Sequence, residues 1–173
     1  MRAEQATDAV QRLLDEQEIR QVLARYCRGV DRCDAELIRS VYHPDANDNH
    51  GTYNGPGRHF PDHVLPMLQA TWEATMHNLG TCVIEIDGDT AHVETYFVAY
   101  HRRHQGVEPW LDVFGGRYID RFEKRDHAWL IADRVVVHEW SKLEPTPLTF
   151  PAELFAAGQR SPADPAYDGE RRP

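Results

Sequence analysis

The sequence predicts an α+β domain in which N-terminal helices close a curved antiparallel sheet over a ligand pocket. Two periodicities carry that expectation. Up to Trp72, apolar side chains recur at three-and-four spacing, whereas residues 83–140 alternate them at a spacing of two. Composition agrees: a chain of 173 residues with 41% hydrophobic and 27% charged residues has the make-up of one globular domain, long enough for a core of its own.

The first element is the clearest. Between Asp15 and Asp31, the residues Ile19, Val22, Leu23, Tyr26, Cys27 and Val30 share one helical face, while Arg20, Arg25 and Arg28 fall elsewhere. A shorter helical turn is expected over Ala9 to Leu14 and another helix over Ala35 to Tyr42, stopped by Pro44. Residues Ala46 to Tyr53 read as a short strand or loop before the Asn54-Gly-Pro-Gly57 turn. A third helix carries Phe60, Val64, Met67, Leu68 and Trp72, with Pro61 tolerated in its first turn and Pro66 a candidate kink.

The β-branched run Val83-Ile-Glu-Ile86 then enters an Asp87-Gly-Asp89 hairpin turn, and the returning strand alternates Ala91, Val93, Thr95, Phe97 and Ala99 with His92, Glu94, Tyr96, Val98 and Tyr100. Two further strands, Leu111 to Phe122 and Trp129 to Trp140, complete a sheet expected to be antiparallel throughout. Both faces of the last strand are apolar, which predicts a second protein surface against the sheet and hence a homo-oligomer. After Leu143 the chain is rich in proline. Only Pro151 to Phe155 is expected to pack, with an extended or disordered arm beyond Gly158. The division expected is therefore one domain over 1–142 and a tail over 143–173.

Several function classes are excluded by composition. A formal net charge of −9 repels phosphate backbones, and Arg102-Arg103 and Arg121 to Arg125 read as exposed strand-end charges, so nucleic acid is not an expected partner. No apolar run approaches the roughly 18 residues that cross a bilayer, and Met1 to Gln17 is polar and acidic, so a cytoplasmic protein without a membrane partner is expected. Cys27, Cys33 and Cys82 lack a ligand spacing and read as small, partly buried residues. Ten histidines raise the question of metal. The pairs His59/His63 and His101/His104 bring no third ligand, so neither a metal nor another cofactor is expected.

Chemistry concentrates on four residues. Asp31 lies at the flank of the first helix's apolar face, about 110° from its centre; it either enters a pocket margin, caps the Ala35 helix or faces solvent. His77 begins a strand at the sheet rim, where a histidine is either structural or a base. A neutral imidazole oriented by a carboxylate is the standard general base near neutral pH, and Asp31 can be that carboxylate. Tyr26 packs on the helical face with its hydroxyl towards a cavity. Arg134 sits among Ala132, Val136 and His138 on a core strand, so its guanidinium must meet an anion of the protein or of a ligand.

These residues, together with Glu16-Gln-Glu-Ile-Arg20, Tyr26-Cys-Arg-Gly-Val-Asp31, Val41-Tyr-His-Pro-Asp-Ala46 and Thr52-Tyr-Asn-Gly-Pro56, resemble the opening of SnoaL-like proteins of the nuclear transport factor 2-like superfamily. Thr75-Met-His-Asn-Leu-Gly80, Gly115 to Phe122 and Trp129 to Arg134 follow in the same order, so the resemblance spans residues 10 to 142. Within that superfamily the pattern of Tyr26, Asp31, His77 and Arg134 is similar to scytalone dehydratase, hexachlorocyclohexane dehydrochlorinase and bile acid 7α-dehydratase. The dehydrochlorinase carries lysine where Tyr26 stands, which counts against halide elimination here. The resemblance implies a cone-shaped α+β barrel, a trimer in preference to a dimer, an Asp31–His77 base dyad and a pocket arginine at Arg134.

The implied function is a cofactor-independent lyase, of the dehydratase type, or an isomerase. Its substrate is expected to be small and hydrophobic, polycyclic compounds included, since the candidate lining is Tyr26, Val30, Tyr53, Met67, Trp72, Tyr96, Phe114, Tyr118, Val136, His138 and Trp140. Two alternatives stand beside it: a non-catalytic binding or assembly domain of the same fold, and a reaction in which Asp31 itself is the base.

Overall fold

The computed structural model describes residues 2–105, 108–147 and 151–167. It opens on one long helix, α1 (Arg2–Arg32), followed by a short α2 (Ala35–Arg39), the strands β1 (Tyr42–Asn49) and β2 (Asn54–Pro56), and α3 (Phe60–Thr71). Four long strands follow: β3 (Ala74–Asp87), β4 (Thr90–Gln105), β5 (Glu108–Arg125) and β6 (Ala128–Pro145). The fold class is the one expected, a curved sheet with the N-terminal helices on its concave face. The helical turn expected over Ala9 to Leu14 is continuous with α1, and the helix expected to reach Tyr42 ends at Arg39, because Tyr42 is already paired to Ile131.

The six strands lie in the order β2-β1-β6-β5-β4-β3 and the sheet is open. It is not antiparallel throughout: β1 runs parallel to β6, with Asp48 opposite Arg134 and Asn49 opposite Val135. The physical reason is the crossover through α3 and the three hairpins from β3 to β6, which returns β6 alongside β1 in the same direction. On the core side, Ile19, Val22, Leu23, Tyr26 and Val30 of α1 meet Phe60, Val93, Phe97, Tyr118, Phe122, Trp129 and Ile131, all buried.

A bulge corrects the simple alternation of β6. Arg121 pairs Asp133 and Phe122 pairs Ile131, so Ala132 is the extra residue and Trp129 and Ile131 come onto the core side together with Arg134. A second bulge falls at Gly115/Gly116. A Cβ at Gly116 would lie 2.3 Å from the Val137 carbonyl oxygen, so backbone rather than a movable side chain reserves that position for glycine.

Residues 159–167 do not extend away. Arg160 donates to the carbonyls of Leu68 and Trp72 at the end of α3, Arg28 donates to Ala166 O at 2.6 Å, and the Tyr167 hydroxyl donates to Asp34 Oδ2 at 2.9 Å. These polar clasps onto the helix ends carry no hydrophobic periodicity, which is why the sequence pattern does not announce them. Among the described residues no helix is long and apolar enough to cross a membrane.

Candidate active site

Helix α1 ends in a Schellman turn. The Asp34 N–H donates to Gly29 O at 2.8 Å and the Cys33 N–H to Val30 O at 3.2 Å, with Cys33 at φ 53°. That turn leaves Asp31 in the last helical position, where the macrodipole disfavours a carboxylate. Three donors from β3 offset this. His77 Nδ1 lies 2.7 Å from Asp31 Oδ1, the Thr75 hydroxyl donates to the same oxygen at 2.9 Å, and the His77 backbone N–H donates to Oδ2 at 2.9 Å. Burial alone would raise the Asp31 carboxyl, but these bonds, His77's foremost, hold it below the ordinary carboxylate range. The residue that caps α2 is Asp34, whose carboxylate accepts from Leu37 N–H, so Asp31 is free of that duty.

The strand period puts Thr75 and His77 on one face of β3, opposite His101 and Ala99 of β4. Sequence reasoning passed over His101 as half of a metal pair whose other member, His104, has its side chain outside the described residues. His101 is 7% exposed and its Nδ1 has no hydrogen-bond partner. Burial, with His77 adding to it, pushes this imidazole down to about 4, so it is neutral at physiological pH. Its ring meets those of His77, Trp72 and Phe114.

These groups open on a cavity of about 450 Å³ between α1, α3 and the sheet. Of the expected lining, Tyr26, Val30, Met67, Trp72, Phe114, Tyr118, Val136 and His138 border it, together with His77. Three expected residues lie elsewhere. Tyr96 and Trp140 are both 47% exposed, the first on the outer face of β4 and the second against Gly115. Tyr53 packs on Phe60 and donates its hydroxyl to Pro56 O at 2.8 Å. Among the lining residues missed are His50, Phe60, Val64, Phe97 and His101, which the fold brings from three separate segments, the end of β1, α3 and β4.

Arg134 does not face the cavity. It is fully buried and doubly bonded to Asp120, Nε to Oδ1 and Nη2 to Oδ2, each at 2.7 Å, and the edge-to-face pair of Tyr26 and Tyr118 rings lies beside it, each centroid 4.2 Å from its guanidinium carbon. The anion that the sequence required is therefore a carboxylate of the protein two strands' width from β1. Tyr26 is 1% exposed, and burial raises its hydroxyl well above 10, which makes it a poor proton donor. Cys27 is buried and Cys33 and Cys82 are half-buried, all three unpaired, as small packing residues should be. Among the described residues no cluster of three or more potential metal ligands occurs.

Comparison with known proteins agrees with this architecture. A scytalone dehydratase-like protein of Novosphingobium aromaticivorans superposes with a TM-score of 0.68 at 18% identity, over 78% of this chain and 90% of that one. A type 2 hexachlorocyclohexane dehydrochlorinase gives 0.70 at 17% identity over 83% and 98%. The type 3 dehydrochlorinase of Novosphingobium barchaimii gives 0.68 at 16% identity over 80% and 94%. At these identities the likeness is one of fold. No curated protein matches by sequence. The SnoaL-like domain profile matches residues 11–135, most of the chain and every strand of the sheet up to the middle of β6, and the protein therefore belongs to the SnoaL-like domain family.

Proposed function

We propose that the protein is a cofactor-independent lyase, removing water from a small hydrophobic substrate, or an isomerase built on the same proton abstraction. The observation that carries this reading is the 2.7 Å contact of His77 Nδ1 with the Asp31 carboxylate, at the wall of a largely apolar cavity. Asp31 orients the ring and stabilises the imidazolium, and the other nitrogen, Nε2, takes a proton from carbon next to an activating group. His101, neutral and with an unpaired Nδ1, supplies a further polar contact for the substrate. The low carboxyl of Asp31 disfavours the alternative in which Asp31 is itself the base, since that chemistry needs a raised value.

The test is a panel of hydroxylated mono- and polycyclic ketones, each incubated with the protein and followed by mass spectrometry for loss of one water or for isomer formation. Turnover by the native chain that disappears in His77→Ala, with an unchanged circular dichroism spectrum, is the expected result. Turnover that survives in His77→Ala sinks the dyad. Tight binding without turnover across the panel, equal in both proteins, supports the binding-domain alternative instead.

We also propose that the chain assembles with copies of itself, as a trimer. Met76, Val83, Tyr96, Val135 and Trp140 are exposed on the sheet face turned away from the helices, an apolar set interrupted by the Glu94–Arg117–Glu139 ion pairs. Light scattering should return the mass of three chains, and a monomer at micromolar concentration would remove the basis for this expectation.

A further inference from the structure

An elimination needs a proton donor for the departing oxygen as well as a base for carbon, and neither Tyr26 nor Arg134 suits that task. The first is a buried phenol and the second is bound to Asp120 away from the cavity. The opposite edge of the sheet carries another group. β1 and β3 stand at nearly opposite ends of the strand order, and His50, the residue after β1, borders the same cavity as His77. Its Nδ1 lies 3.3 Å from Asp48 Oδ1, and its ring stacks on Phe60 at 4.5 Å.

Asp48 is fully buried, and its other oxygen accepts from the Tyr42 hydroxyl at 2.5 Å. Strand register then sets up a charge imbalance. Asp48 of β1 is opposite Arg134 of β6, and Arg134 is opposite Asp120 of β5, so two buried carboxylates flank one buried guanidinium. Arg134 gives its bidentate bond to Asp120. A buried carboxylate needs hydrogen-bond partners, and those of Asp48 are the Tyr42 hydroxyl and the His50 ring. The tyrosines that pack around this group, Tyr26, Tyr42 and Tyr118, are all raised well above 10 and stay neutral.

We propose that His50, held in place by Asp48, is the proton donor of this cavity and acts opposite the His77 base. The assignment rests on the lyase reading above and completes it. As the carbon–hydrogen bond breaks, its proton passes to His77 Nε2 and its electron pair forms the new double bond. The carbon–oxygen bond breaks at the neighbouring carbon, and the oxygen leaves as water with the proton from His50 Nε2. His77 ends protonated and His50 neutral, and exchange with solvent restores both. The ligand class follows: an apolar molecule with a hydroxyl on the carbon next to an activated C–H, the C–H turned to His77 and the hydroxyl to His50.

Long-range nitrogen–proton spectra of the imidazole rings, taken through a pH titration of the full-length chain, test this without a known substrate. Signals are assigned with His50→Gln, a half-exposed position whose loss leaves Asp48 its bond from Tyr42. His50 should stay protonated to higher pH in the native chain than in Asp48→Asn. As a second reading, para-nitrophenolate serves as an anionic aromatic probe followed by its visible absorption, and His50→Gln should weaken its binding about ten-fold. A His50 titration that ignores Asp48→Asn, or an affinity that His50→Gln leaves unchanged, overturns the assignment. The same spectra resolve His77, so a His77 tautomer that ignores Asp31→Asn overturns the base dyad independently of the His50 result.

Discussion

Arg134→Met should lower the unfolding free energy by about 3–5 kcal/mol, the loss typical when one partner of a fully buried ion pair is removed. Three features put this position at the top of that scale. The guanidinium is inaccessible to water, its bond to Asp120 is bidentate, and the rings of Tyr26 and Tyr118 pack beside it, each 4.2 Å from its central carbon. Methionine fills much of the volume but leaves Asp120 uncompensated and takes the nearest guanidinium from Asp48. Arg134→Lys should recover little, because an ammonium cannot reproduce the two-point fork to Asp120. The deficit should shrink as the pH is lowered. In the variant the buried carboxyls rise above their unfolded values, so protonation then favours the folded state. Combining Arg134→Met with Asp120→Leu should restore most of the loss, since a buried pair can be replaced by apolar side chains at small cost. Urea unfolding of the three variants at two pH values reads all of this, and a loss in Arg134→Met below about 1 kcal/mol, the scale of an exposed pair, would show that the pair is not buried in solution.

The same residue shows where the sequence was legible and where it was not. Period-two alternation placed Arg134 among apolar neighbours on a core strand and required an anion for it, but it set Trp129 and Ile131 on the other face, which the bulge at Ala132 corrects. It could not say that the anion would be Asp120, fourteen residues earlier, because the pairing depends on the β5/β6 register and on the bulge at Ala132. Asp31 and His77 were legible as a carboxylate beside an apolar helical face and a histidine entering a strand, and their pairing was an option of the residues and an implication of the family resemblance. Their contact is set by the Schellman turn at Cys33, a non-glycine residue at positive φ that no glycine or asparagine signal announced. Asp48 and His50 were unreadable for another reason. Asn, Asp and His in succession look like a polar loop, and only the parallel pairing of β1 with β6 buries Asp48 beside Arg134. Tyr96 and Trp140 failed for the reverse reason, since aromatic character says nothing about which face a bulged strand presents.

Asp31→Asn should reduce turnover by about 100- to 10,000-fold, the range that a positioned general base contributes, although the two side chains have the same shape. The argument is one of donors and acceptors. Asp31 receives three hydrogen bonds, from the His77 ring, the His77 backbone N–H and the Thr75 hydroxyl. Asparagine has one carbonyl oxygen and must aim its NH2 group either at the ring or at the backbone N–H. Facing the ring, the NH2 donates to Nδ1 and drives the proton to Nε2, which removes the lone pair that the base needs. Facing the backbone, it sets donor against donor in a nearly buried place. Stability carries the sign of the same interaction. With its folded value held below the ordinary one, Asp31 contributes fully above about pH 4, the unfolded carboxyl value, and loses that contribution as pH falls through the folded value. The gap in melting temperature between the native chain and Asp31→Asn should therefore be widest at neutral pH and close under acid. A gap that stays constant down to about pH 3 would mean that Asp31 is not held as a carboxylate by His77 and Thr75, and the dyad would lose its physical basis whatever the substrate proves to be.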